Sequence, residues 1–184
     1  MRWVTLVLFL QLFFQGWGGL SAQAFVPFTI PFFADPPSLP NNITCLDNHH
    51  QSLGFMNSQV LQWKANTQNQ YTNRAMVQGP IVKLLPDHTG HTHFGITLGQ
   101  NQGGDLEVIY NDEFGELPPL SVGTPVIACG DYITVGRGAH LPSPFGAIIH
   151  WVHFNPGTRD GGAHPGGFLV INGKPYGFTN PPLN

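Results

Sequence analysis

Two hydrophobic periods divide the chain. Met56, Val60 and Trp63 recur at helical spacing, with Leu61 beside them, which predicts one helix over about residues 57–69. Asn57 or Ser58 stands where a cap belongs, and the polar, Asn/Gln-rich stretch beyond Ala65 predicts that the helix fades before Asn73. From Arg74 onward the period is that of strands. Residues 75–85 form the first predicted strand, with Gly79 and Pro80 marking a bend. A turn over 86–90 leads to residues 91–98, where Phe94, Ile96 and Leu98 share one face and His91, His93, Gly95 and Thr97 the other. Residues 105–111 alternate through Leu106, Val108 and Tyr110, and an acidic, Pro-bearing connection follows over 112–123. Further strands are predicted over 124–135 and 145–154. A last hairpin joins 168–171 to 174–178 through Asn172-Gly173, a strong turn pair.

The fold class that follows is mainly β. We expect a small OB-like antiparallel β-barrel of five to six strands with one N-terminal helix; a small sandwich is the alternative. The domain division is then 1–24, 25–56 and 57–184, the last holding helix and barrel.

Composition adds a compartment. Arg2, the apolar run from Val4 to Phe14 and the small-residue triplet Ala22-Gln23-Ala24 read as a signal peptide over 1–24. The run is short and interrupted at Gly16, Gly18 and Gly19, so no transmembrane span is expected after cleavage; an uncleaved anchor is the rival. Residues 25–56 form a Pro-rich extended arm, because Pro27, Pro31, Pro36, Pro37 and Pro40 exclude helix and central strand. Export, to a periplasm or the exterior, permits a disulfide, and Cys45 and Cys129 allow one intramolecular pairing. Two buried free thiols are the rival. Charged residues are scarce at 9% and the formal charge is −3, which argues against nucleic acid as a partner.

Nine histidines outnumber seven Lys and Arg, which raises metal binding. His91 and His93, two apart on a strand, project to one face and could share one divalent ion such as zinc. His150 and His153 are three apart, so both join that face only if the strand breaks between them. His164 follows in a glycine-rich turn that could fold back. The competing reading is a hydrogen-bonded His/Trp cluster around Trp151. Asp87 and Asp160 are the nearest acidic candidates for a hydrolytic site, and neither has a diagnostic spacing. No H-E-x-x-H, G-x-S-x-G or phosphate-binding loop occurs.

Residues 73–176 resemble a bacterial family of exported proteins, domain of unknown function 3465. The resemblance is carried by Val82-Lys83-Leu84-Leu85-Pro86-Asp87, then His91 and His93, then Ser121-Val122-Gly123-Thr124-Pro125-Val126. It continues through His150-Trp151-Val152-His153-Phe154-Asn155-Pro156, His164-Pro165-Gly166-Gly167-Phe168 and Gly173-Lys174-Pro175-Tyr176. Phe154 and Asn155 stand where the family signature has a histidine and an aspartate. The resemblance implies a small exported β-barrel that keeps His150, His153 and His164 together; it implies no activity. The function expected is a non-catalytic binding module for a small ligand or protein partner, with a divalent metal held by His91, His93, His150, His153 and His164. The alternatives are a metal-dependent hydrolase, phosphoesterase- or nuclease-like, and a structural or partner-binding domain without metal.

Overall fold

The computed structural model describes residues 38–140, 142–155 and 165–178, all within a compact unit, Phe33–Asn184. The predicted signal peptide, the first part of the Pro-rich arm, Asp160 and His164 lie outside the described residues.

Helix α1 spans Asn57–Asn66. Seven strands follow: β1 (Thr72–Leu84), β2 (His91–Ile96), β3 (Leu106–Asn111), β4 (Pro125–Thr134), β5 (Ala147–His150), β6 (Phe168–Ile171) and β7 (Lys174–Tyr176). The order β1-β2-β3-β5-β4 returns to β1, because β1 and β4 pair from Thr72↔Ile133 to Pro80↔Pro125. This is a closed five-stranded OB-like barrel. On the other edge of β4, β5 pairs with Asp131–Thr134 and β6 with Val126–Cys129; β7 then pairs with β6.

One expectation needs correction. The barrel is mixed, not antiparallel: β3 and β5 pair in parallel, Glu107↔Ile148 and Val108↔Ile149. The reason is topological. Strand directions cannot alternate around a closed ring of odd number, so at least one of the five seams must be parallel, and it falls between β3 and β5, neighbours in the ring but not in the chain.

Alternation builds the interior. Phe94, Ile96, Val108, Tyr110, Val126, Ala128, Tyr132 and Ile149 point inward and are fully buried, joined by Leu169 and Ile171 from β6. Each large aliphatic or aromatic side chain there contributes about 1.5–3 kcal/mol by leaving water. The bend expected at Gly79 has a steric cause. A Cβ at that position would lie 1.9 Å from the carbonyl oxygen of Thr97, so the backbones of β1 and the β2 exit touch there.

Helix α1 ends earlier than its pattern suggests, and Asn57 does not cap it. Instead, the Asn57 amide pairs with β1 like an extra strand residue: Nδ2 donates to Gln78 O at 2.7 Å, and Gln78 N donates to Oδ1 at 3.0 Å. That pins the helix over the barrel, with Val60 buried and Trp63 against Tyr71 and Tyr132 at ring separations of 5.9 and 5.5 Å.

The outer barrel surface divides in two. Over β1, β4 and β6, the segment 38–55 buries Ile43 and Cys45 against Met76, Ile127, Cys129, Phe168 and Val170. The Cys45–Cys129 disulfide fastens it, with Cα atoms 5.7 Å apart. Arg74, 2% exposed, sits beside the disulfide and ties three elements together. Its Nε donates to Leu46 O at 3.1 Å, its Nη1 to Asp131 Oδ1 at 2.8 Å, and its Nη2 to Gly166 O. The outer face of β2, β3 and β5 carries the histidines.

Candidate functional site

Strand pairing assembles this face. His91 stands opposite Asn111, His93 opposite Ile109 and Gly95 opposite Glu107, so Glu107 is the diagonal neighbour of His93. Across the parallel seam, β5 adds Ile148 and His150 to the same side. All of these side chains are half-buried except Gly95 and Glu107, which are buried. Phe145, from the β4–β5 loop, fills the space over Gly95: a Cβ there would meet its ring at 2.2 Å.

The histidine rings are oriented by acceptor oxygens. His93 Nδ1 lies 2.8 Å from Glu107 Oε1, and Glu107 is 6% exposed. His91 Nδ1 lies 3.0 Å from Thr89 O. A carboxylate and a carbonyl can only accept, so each Nδ1 carries a proton and the neutral form of each ring has its lone pair on Nε2. Ring centres lie 6.4 Å apart for His91 and His93, and 5.9 Å apart for His91 and His150.

Strand β5 ends at His150, and Trp151 adopts a left-handed φ of 55°, uncommon for a large side chain. The break that both histidines required is therefore present, yet it carries His153 away from the others. His153 is 2% exposed, donates from Nδ1 to Phe154 O at 2.8 Å and stacks on Phe114 with ring centres 3.8 Å apart. Trp151 lies between, 5.5 Å from the rings of both His150 and His153. The structure thus gathers His91, His93 and His150 on one face and buries His153 behind them. Among the described residues, no three His, Cys, Asp or Glu side chains are placed to hold a metal ion.

Three participants escaped the sequence reading. Glu107 had a signal, since alternation of Leu106, Val108 and Tyr110 puts it on the opposite face, where a hairpin with β2 brings it to His93. His88 pairs with His91 as an isolated bridge, which depends on the geometry of the turn. Phe114 lies in a 3-10 turn, Asp112–Phe114, that no period announces.

An adjoining open pocket of about 510 Å³ lies where β1 ends and β2 begins, walled on its far side by the β3–β4 connection. Leucines 84, 85, 117 and 120 line it together with Thr92, His93 and the carboxylates of Asp87, Asp112 and Glu116. Thr92 Oγ1 donates to Asp112 Oδ1 at 2.7 Å.

Opposite Thr92, the Tyr110 hydroxyl is buried with no hydrogen-bond partner among the described residues. Burial, aided by the charge of Asp112, pushes its phenol up to about 12 from its usual value of 10.0. The unfolded chain therefore loses this proton first, and stability falls as pH rises from about 10 to 12. Tyr110→Phe is expected to flatten that part of the alkaline stability curve. At neutral pH it should leave stability unchanged or raise it by about 1 kcal/mol, since an unsatisfied polar group is removed. Urea unfolding at pH 7 and at pH 11 would measure both effects.

No family model, no curated protein and no solved structure matches this chain.

Proposed function

We propose that the protein is an exported, non-catalytic binding module whose ligand face is the outer surface of β2, β3 and β5. On this reading, His91 and His93 present Nε2 lone pairs to a divalent metal such as zinc, with the His150 ring beside them on the same face. The disulfide and the signal-like leader support export.

The observation that carries the metal reading is the Glu107–His93 hydrogen bond. A carboxylate on Nδ1 fixes the tautomer and raises the basicity of Nε2, the arrangement found behind metal-ligating histidines. His91 is oriented in the same way by Thr89. The fit is close but not closed. Two imidazoles on one tetrahedral zinc have ring centres about 5 Å apart, given zinc–nitrogen bonds of 2.0–2.1 Å. At 5.9 and 6.4 Å the rings stand about 1 Å farther apart than that, so on this reading zinc draws them together as it binds. Because Glu107 is bonded to His93, its position favours ring orientation over activation of water, which is why binding is preferred to hydrolysis.

A structural reading has its own support at His153. Its ring is stacked on Phe114 and buried, as expected of a packing residue.

Zinc titration followed by calorimetry, with the melting temperature as second readout, tests the proposal. Zinc at a hundredfold its Kd should add about 2.7 kcal/mol of stability. His93→Ala and His150→Ala should abolish that gain, and Glu107→Gln should weaken binding about 10–100-fold. A wild-type protein that neither binds zinc nor melts higher in its presence would leave the structural reading.

A further inference from the structure

The pocket beside His93 has a composition that selects an occupant. Half of its wall is hydrocarbon, from Leu84, Leu85, Leu117 and Leu120, and Leu84 is 46% exposed although it pairs with the core residue Phe94. The other half carries Asp87, Asp112 and Glu116. None of these carboxylates forms an ion pair with a cation among the described residues, where the ion pairs are Arg74–Asp131 and His93–Glu107. Among the described residues, no Lys or Arg lines the pocket. Its volume of about 510 Å³ lies in the range of small-molecule sites, which combine apolar walls with a few converging polar groups.

We propose that this pocket binds a small organic cation: an ammonium or guanidinium group on a hydrocarbon body. The leucines take the body. Asp87, Asp112 and Glu116 attract the charged head, and Thr92 donates a hydrogen bond to Asp112. Three carboxylates share one pocket wall, and their summed charge attracts a cation. The same field repels anions of identical shape. The proposal does not depend on metal binding at the histidine face.

A ligand series of constant shape and changing charge tests this on the whole folded protein. Amide shifts in heteronuclear NMR would be followed with n-hexylamine, hexan-1-ol and hexanoate. Hexylamine is expected to shift the signals of Leu85, His93, Glu116 and Leu117 in a saturable way, hexanol to do so more weakly, and hexanoate to leave them in place. Asp87→Asn combined with Glu116→Gln changes two exposed side chains and should weaken hexylamine about three- to tenfold while leaving hexanol unchanged. Added salt should weaken hexylamine selectively. No shift with hexylamine at roughly 10 mM, an equal response to hexanoate, or a double variant that binds hexylamine as tightly as the wild type would each overturn the proposal.

Discussion

Replacing both Cys45 and Cys129 with alanine is expected to lower stability by about 4–5 kcal/mol. The two cysteines are 84 residues apart, and opening a loop of that length restores about 4.5 kcal/mol of conformational freedom to the unfolded chain. The bond is also fully buried, and the apolar residues around it, Ile43, Met76, Ile127 and Phe168, lose packing partners when the sulfurs go. For a domain of this size the melting temperature should fall by roughly 10–15 °C. Reduction of the wild type in mild denaturant should reproduce the loss, measured by urea unfolding with and without a dithiol. A double variant within about 1 kcal/mol of the wild type would show that segment 38–55 is held by packing alone.

Arg74→Ala should cost a comparable amount, about 3–5 kcal/mol, because it strips donors from groups that no longer face water. Its side chain is 1% exposed and serves Leu46 O, Asp131 and Gly166 O, so three separate elements lose a common anchor. Arg74→Lys is expected to recover little. One ammonium on a flexible stem cannot address acceptors that a planar fork reaches together. Arg74 also lies 3.5 Å from the disulfide sulfur of Cys129, so the two lesions share surroundings. Combined, they should fall short of the sum of their separate costs by about 0.5–3 kcal/mol, and a double-mutant cycle in urea would read that coupling directly. Full additivity would mean that Arg74 acts on the loop at Gly166 and the segment at Leu46 independently of the bridge.

The elements of this fold that were legible in advance are those written in local period. Alternation in residues 91–98 placed His91 and His93 on the face opposite Phe94 and Ile96, and that is where they stand. Asn172-Gly173 forms the final hairpin turn with positive φ at both residues. The OB-like barrel followed from the number and spacing of short strands. Pairings between distant segments were not legible, because no local period records them. The parallel β3–β5 seam is one, and Arg74 is another: an arginine in a strand reads as a surface residue, and its burial depends on a loop and a disulfide contributed from elsewhere. The fifth strand is shorter than its apolar run because Trp151 turns left-handed where the alternation continues. That same turn separates His153 from His150, so among the described residues His91, His93 and His150 share the face and His153 does not.

The long β1–β4 pairing also bears on how quickly this protein reaches its native state. Thr72 meets Ile133 and Pro80 meets Pro125, so the seam that closes the ring cannot form until β2, β3 and their connections have been gathered between its two sides. Contacts of such separation demand loop closure before they return any stabilisation, which places folding in the millisecond-to-second range typical of non-local β topologies. Until that closure, β1 and β4 each expose an unpaired edge, and the most vulnerable interval in the life of this chain is the one before the two edges find each other.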